Sequence, residues 1–163
     1  MTTPSQSAAI LKFMDLVEKC RESVPELLPW DLADKMEQGD SVLLLDVREP
    51  YEFNAMHIEG SMSVPRGILE SAVEWGYEET VPELVEAREK EVVIICRAGN
   101  RSLLAGKTLQ LMGYTRVCSL KTGLRGWNDF EQPLVDNAGK EVIIDDADDY
   151  FLSRVSETQL GKK

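Results

Sequence analysis

The chain has 163 residues, of which 43% are apolar, so it is long enough for one globular domain with a buried core and short extensions. Its formal net charge is −11 and it has no long basic cluster, so we predict no nucleic-acid partner. There is no long apolar run and no basic leader segment, so we predict no membrane-spanning helix and no signal peptide. The three cysteines are odd in number and widely spaced, which predicts no disulfide framework and a cytoplasmic protein. With a single histidine we also predict no metal site, and we expect no cofactor.

Residues 1–24 are predicted to form an N-terminal amphipathic helical extension. Apolar residues recur there at the spacing of one helix face, at Ile10, Phe13, Met14, Val17 and Cys20. Amphipathic helices usually pack on their own domain, so we expect this one to lie on the flank of the following domain. A dimer or partner helix is the alternative, and the sequence leaves the oligomeric state open.

Residues 25–133 are predicted to form one α/β domain, because short apolar segments alternate with helical ones. Residues 42–47 and 92–95 are almost continuously apolar, as in strands of a parallel sheet that are covered on both faces. Their ends carry Asp46 and Cys96, which should therefore lie at the same edge of the sheet. Further strands are predicted at 26–28 and 116–120, and helices at 29–38, 68–75, 82–90 and 102–113.

The most informative stretch is the loop that follows the strand at 92–95. Its residues are Cys96, Arg97, Ala98, Gly99, Asn100, Arg101 and Ser102. We predict that Ser102 is the N-cap of the next helix, whose dipole would add positive potential to a loop with inward N–H groups. Such donors favour the thiolate form of Cys96. A buried cysteine that merely ends a core strand would not require two arginines and a glycine behind it.

This loop resembles the active-site loop of the rhodanese (thiosulfate sulfurtransferase) family. The spacing from Cys96 to Arg101 is Cys-x4-Arg, one residue shorter than the Cys-x5-Arg of phosphatases. Two other stretches resemble the same family: Asp46 to Glu49 with His57 to Pro65, and Lys121 to Trp127. Met56 and Thr122 stand where the family commonly has glycine. The resemblance covers about residues 26–132.

The resemblance implies a rhodanese-like α/β fold with a five-stranded, largely parallel sheet and helices on both faces. It implies transfer of sulfane sulfur from thiosulfate to cyanide, glutathione or a protein thiol through a persulfide on Cys96. Residues 97–102 would bind the persulfide, the backbone N–H groups of residues 97–101 stabilising its charge. A sulfur-carrier protein is a further partner that the resemblance allows. Two alternatives stay open: a sulfur-carrier or binding module, and a cysteine-based phosphatase or arsenate reductase.

Five residues outside the loop are candidates for supporting roles: Asp46, Arg48, His57, Lys121 and Arg125. We expect Asp46 and Arg48 to form a salt bridge that holds residues 60–67, although the carboxylate could instead orient a loop arginine. His57 could act as a base for Cys96, but we expect a hydrogen-bonding prop. Lys121 and Arg125 would add positive charge at the mouth of the site.

Within the loop we expect the two arginines to differ. Arg101 precedes the predicted helix cap and should brace the loop, whereas Arg97 should be free to meet the substrate. Cys20 and Cys118 are expected to be packed and inert, with a resolving thiol at Cys118 as the alternative.

Residues 134–163 are predicted to be an acidic C-terminal extension without a family match. Its acidic residues, at 145, 146, 148 and 149, indicate a solvated face or the start of a helix. The apolar residues Tyr150, Phe151, Leu152 and Val155 could pack this helix on the domain.

Overall fold

A computed structural model describes residues 9–161, so the expectations for residues 1–8 and 162–163 lie outside the described part of the chain. The strands are β1 (Glu26–Leu27), β2 (Val42–Asp46), β3 (Met62–Ser63), β4 (Glu91–Ile95) and β5 (Val117–Leu120). They form one sheet in the order β1-β5-β4-β2-β3, and each neighbouring pair is parallel. The five-stranded parallel sheet confirms the predicted fold. The short strand β3 was not located by the apolar pattern.

Both faces of the sheet are covered, as the continuous apolar strands predicted. Along β4, Val92 and Ile94 pack into one core cluster and Val93 and Ile95 into another, because successive strand residues point to opposite faces. Both clusters contain side chains from helices. The sheet is therefore the middle layer of a three-layer α/β domain.

The helices are α1 (Phe13–Arg21), α2 (Pro29–Glu37), α3 (Pro50–Ala55), α4 (Leu69–Ala72), α5 (Pro82–Val85), α6 (Asn100–Leu111), α7 (Gly123–Asp129), α8 (Ile144–Tyr150) and α9 (Glu157–Leu160), with a 3-10 turn at Arg66–Ile68. No helix within residues 9–161 is long and apolar enough to span a membrane.

The helix predicted at 82–90 was wrong in its length, because α5 ends at Val85. The Arg88 side chain explains the early end. Its guanidinium donates hydrogen bonds to the carbonyl oxygens of Val73, Val85 and Met112. The Val85 carbonyl is thus satisfied by a side chain rather than by the next helical turn. The helix predicted at 68–75 is likewise shorter, and runs from Leu69 to Ala72.

Helix α1 lies against α6, and only part of its apolar face is buried. Val17 is fully buried in a small cluster with Val24 and Leu103. Phe13 and Met14, by contrast, remain 52% and 46% exposed. The helix therefore packs on the flank of the domain through Val17 and leaves its first turn open to solvent.

The acidic segment begins a helix, α8, whose first turn contains Asp145 and Asp146. Acidic residues in a first turn interact favourably with the helix dipole. Ala147 and Phe151 are buried in the same core cluster as Trp127. Leu152 and Val155 are more than half exposed, so the predicted packing holds for Phe151 but not for these two residues.

Candidate active site

The loop of residues 96–102 wraps around the sulfur of Cys96, which follows the last residue of β4. The Gly99 N–H and the Ser102 N–H donate to Cys96 Sγ at 3.1 Å and 3.3 Å. Gly99 has a φ of 91°, and a Cβ atom there would lie 3.0 Å from the backbone nitrogen of Thr122. Glycine therefore allows both the turn and the close approach of the neighbouring loop.

Ser102 is not the helix N-cap that the sequence predicted. Helix α6 begins at Asn100, with Gly99 at the cap position. The Ser102 hydroxyl instead lies beneath the sulfur, 3.2 Å from Cys96 Sγ and 2.6 Å from the hydroxyl of Ser119. When Cys96 is a thiolate, Ser119 can donate to Ser102, and Ser102 to the sulfur. The two buried hydroxyls thus add a third polar contact to the sulfur.

Ser119 was not among the predicted site residues. It lies in β5 and is fully buried, although the rest of that strand is mostly apolar. A polar residue inside a predicted core strand was the available signal, because a buried hydroxyl needs a hydrogen-bond partner. That signal does not identify the partner, which lies 17 residues away in the chain.

Helix α7 supports the loop from below. The N–H groups of Leu124 and Arg125 donate to the carbonyl oxygens of Cys96 and Arg97, at 2.9 Å and 3.0 Å. These two carbonyl oxygens of the loop are therefore hydrogen-bonded to α7. Among residues 9–161 the N–H groups of Arg97, Ala98, Asn100 and Arg101 have no protein acceptor, so they are available to a ligand.

Arg101 forms a paired ion bridge with Glu52 of α3, with N–O distances of 2.8 Å and 2.9 Å. Burial would raise the pKa of Glu52, but hydrogen bonds from Arg101 and from the Glu49 N–H outweigh burial and hold it below the ordinary value. The same hydrogen bond raises the pKa of Arg101. This contact ties the end of the loop to α3, in the bracing position expected for Arg101.

Arg97 differs from the expectation that its side chain would be free. Its Nη2 atom donates to the carbonyl oxygens of Phe151 and Leu152, both at 2.9 Å. These carbonyls follow α8, where a helix leaves unpaired acceptors and negative potential. The C-terminal segment is therefore attached directly to the residue after Cys96.

Asp46 and Arg48 form the expected ion pair, and both side chains are essentially fully buried. Arg48 also donates to the carbonyl oxygen of Met56 at 2.7 Å. The pair therefore holds the segment after α3, which corrects the expectation that it would hold residues 60–67. Among the described residues, Arg48 Nη1 has no hydrogen-bond partner.

His57 occupies the position of a structural prop. Its Nδ1 atom lies 2.8 Å from the Phe53 carbonyl oxygen, and its ring stacks on the Phe53 ring at 3.8 Å. Its backbone pairs with Val135. Lys121, in the turn before α7, and Arg125, in the first turn of α7, both have exposed side chains. None of these three lines the cavity over Cys96.

A cavity of about 220 Å³ opens above Cys96. The residues lining it are Phe13, Cys96, Arg97, Ala98, Asn100 and Arg101. Phe13 comes from α1 and was not predicted to belong to the site, because helical spacing assigned it only to a packing face. Two arginines and one phenylalanine are thus among the residues around a buried sulfur.

The other two cysteines lie outside this cavity. Burial, with a smaller contribution from the nearby Glu91 carboxylate, raises the pKa of Cys118 to about 11. A thiol with such a pKa is a weak nucleophile at neutral pH. Cys20 is partly buried beside Val17 and Val24. Both positions fit the expectation of packed thiols.

The family model for the rhodanese-like domain matches residues 28–130. The chain is 32% identical over 105 residues to YrkF of Bacillus subtilis, described as a candidate sulfur carrier protein, in a match covering 64% of this chain and 51% of YrkF. It is 32% identical over 92 residues to the thiosulfate sulfurtransferase GlpE of Tolumonas auensis, covering 55% of this chain and 76% of GlpE.

Among solved structures, one from Rhodopseudomonas palustris has a TM-score of 0.69 and 29% identity, covering 77% of this chain and 96% of that one. That protein is of unknown function and is described as a possible tyrosine phosphatase. The chain spans about half or less of the length of several curated relatives that it matches.

Proposed function

Because the chain belongs to the rhodanese-like domain family, we propose that it is a sulfurtransferase that carries sulfane sulfur as a persulfide on Cys96. Relatives named as sulfurtransferases and as a sulfur carrier support this reaction class. The observation that carries the proposal is the convergence of two N–H groups and one hydroxyl on Cys96 Sγ, at the bottom of a cavity.

In the first half-reaction the Cys96 thiolate attacks the outer sulfur of thiosulfate. The sulfur–sulfur bond of thiosulfate breaks, and sulfite leaves with the bonding electron pair. The available N–H groups of Arg97, Ala98, Asn100 and Arg101 would stabilise the negative charge on the terminal persulfide sulfur. One preorganised donor of this kind contributes roughly 3 kcal/mol to a developing anion.

In the second half-reaction a thiolate or cyanide attacks the terminal sulfur of the persulfide. The bond between that sulfur and Cys96 Sγ breaks, and its electron pair returns to Cys96 as a thiolate. The hydroxyls of Ser102 and Ser119 and the two bonded N–H groups would then hold the returning charge. Each step uses only groups of the chain and of its substrates. The thiol of a sulfur-carrier protein is one acceptor that can attack the persulfide as a thiolate.

The length of the loop favours sulfur transfer over phosphate chemistry. The six residues from Cys96 to Arg101 form a small ring around one sulfur. The N–H groups of Gly99, in the ring, and of Ser102, directly after it, donate to Cys96 Sγ. A tetrahedral phosphate has several oxygens to bind and requires a wider ring. We therefore rank a phosphatase, suggested by the description of the R. palustris neighbour, below a sulfurtransferase.

Intact-mass analysis after incubation with thiosulfate tests this proposal. One added sulfur atom is expected on the wild type and none on Cys96→Ser. Cys118→Ser and Cys20→Ser are matched controls that should retain the adduct. The loaded protein is then mixed with cyanide, glutathione or a protein thiol, and loss of the added mass is followed, with aryl phosphate hydrolysis measured alongside. An adduct on Cys118, or phosphate hydrolysis without sulfur loading, would contradict the proposal.

A further inference from the structure

Phe13 contributes an aromatic wall to the cavity over Cys96, although it lies outside residues 28–130. It is the first residue of α1. The position of this helix is determined by Val17, which is fully buried against Val24 and Leu103. Leu103 belongs to α6, the helix that begins in the active-site loop. Phe13 is therefore held relative to Cys96 by packing, through the helix that carries the loop.

The residues that line the cavity are of two chemical kinds. Arg97, Asn100 and Arg101 are polar or cationic, whereas Phe13 and Ala98 are apolar. Cys96 is fully buried and Phe13 is 52% exposed, so Phe13 is the more solvent-accessible of these two lining residues. The Phe13 residue is therefore in a position to contact the outer part of a molecule whose reacting atom is at the sulfur.

Thiosulfate is a dianion without an apolar group, so it has no part that would gain from contact with the Phe13 ring. An acceptor thiol is different, because its attacking sulfur enters first and its substituent remains in the outer part of the cavity. An apolar substituent there would be removed from water against the Phe13 ring. Cyanide has no substituent to place.

We propose that Phe13 determines the preference for the sulfur acceptor, and that the preferred class is small thiols with an aromatic or other apolar substituent. This inference rests on the proposed sulfur transfer. The cavity of about 220 Å³ is smaller than ordinary ligand pockets, which measure roughly 300–1,000 Å³, and this favours a small acceptor. The acceptor thiolate forms a bond to the terminal sulfur, the bond to Cys96 Sγ breaks, and the acceptor leaves as a persulfide.

The test separates the two half-reactions. Wild type, Phe13→Ala, Phe13→Leu and Met14→Ala are first loaded with thiosulfate, and the amount of persulfide is measured by intact mass. Each loaded protein is then reacted with benzyl mercaptan and with 2-mercaptoethanol, and kcat/KM is compared per loaded protein. Met14 is the matched control, because it is the next residue of α1, is 46% exposed and does not line the cavity.

We expect the wild type to prefer benzyl mercaptan, and Phe13→Ala to lower the ratio of the two kcat/KM values about tenfold, the size of one aromatic contact. Phe13→Leu should lie between these two, and Met14→Ala should match the wild type. A wild type without the preference, or an equal ratio in Phe13→Ala and wild type, would overturn the inference while leaving sulfur loading intact. Failure of the wild type to load sulfur would overturn the proposed function, and this inference with it.

Discussion

Replacing Gly123 by alanine tests how far the active-site loop depends on its support from α7. Gly123 has a φ of 59°, which costs an alanine about 1–2 kcal/mol. Its added Cβ would lie 2.5 Å from the Arg97 carbonyl carbon and 2.5 Å from the Cys96 carbonyl oxygen. Relieving such a clash with backbone atoms adds about 1–3 kcal/mol. Gly123→Ala should therefore lower the free energy of unfolding by about 2–5 kcal/mol.

The same substitution should impair sulfur loading, because the clash is with the backbone of the loop itself. Moving Cys96 and Arg97 weakens the bonds to the N–H groups of Leu124 and Arg125 and displaces the donors around the sulfur. Loss of one well-placed donor costs about a hundredfold in rate. We expect at least a tenfold fall in the rate of persulfide formation, followed by intact mass, in a variant that circular dichroism shows to be folded.

Gly139→Ala is the matched control, since Gly139 has a φ of 78° but no atom within 4 Å of an added Cβ. It should show only the backbone cost of about 1–2 kcal/mol and unchanged sulfur loading. Urea unfolding at neutral pH measures both free energies. The outcome that contradicts this prediction is an equal lowering of the free energy of unfolding by both substitutions, with normal sulfur loading in Gly123→Ala. The geometry of the active-site loop would then not depend on the close packing of Gly123.

Three other substitutions address the contacts around the loop. Glu52→Gln should lower stability by about 2 kcal/mol at pH 7, because it removes a charged hydrogen-bond partner of Arg101. Because folding lowers the pKa of Glu52, the ionised carboxylate stabilises the fold at pH values above 4.5, the ordinary pKa of the group. In urea unfolding, the difference in free energy between Glu52→Gln and wild type should therefore shrink and disappear as the pH falls below 4.5. Arg97→Ala should increase hydrogen exchange in residues 144–152, since the guanidinium binds the carbonyls of Phe151 and Leu152. Thr122→Gly should raise the Tm by a few degrees, because Thr122 has a φ of 65°, and such strain costs about 1 kcal/mol or more.

Each of these predictions has a clear contrary result. A stability difference for Glu52→Gln that does not shrink as the pH falls below 4.5 would assign the effect to packing rather than to charge. Unchanged exchange in Arg97→Ala, measured beside an Arg125→Ala control with an exposed side chain, would mean that other contacts hold the C-terminal segment. A lower Tm for Thr122→Gly would show that the threonine side chain contributes more than its backbone strain.

The domain boundaries at residues 24 and 133 stay predictions, and the family match from 28 to 130 lies within them. Contacts cross both boundaries. Val17 packs on Leu103, and Phe151 is buried beside Trp127. The C-terminal segment therefore contributes to a core cluster of the sheet, whereas α1 forms a separate small cluster with α6.

The sequence by itself determined the central sheet and the loop, because both depend on local pattern. Residues 42–47 and 92–95 are almost continuously apolar, which indicates strands covered on both faces and is typical of a parallel sheet between helices. The order of cysteine, arginines and glycine in residues 96–102 is likewise visible without coordinates. The limits of a helix could not be predicted where a side-chain hydrogen bond ends it, as Arg88 does at Val85.

Only the tertiary structure decided which groups meet at Cys96. Ser102 has the sequence position of an N-cap, but the hydroxyl of Ser119 on the neighbouring strand gives it a buried partner beneath the sulfur. Arg97 is bonded to a carbonyl 54 residues away, and Phe13 reaches the cavity through the packing of α1 on α6. Such partners cannot be deduced from spacing, because hydrogen bonding and burial select among distant groups only after the chain has packed.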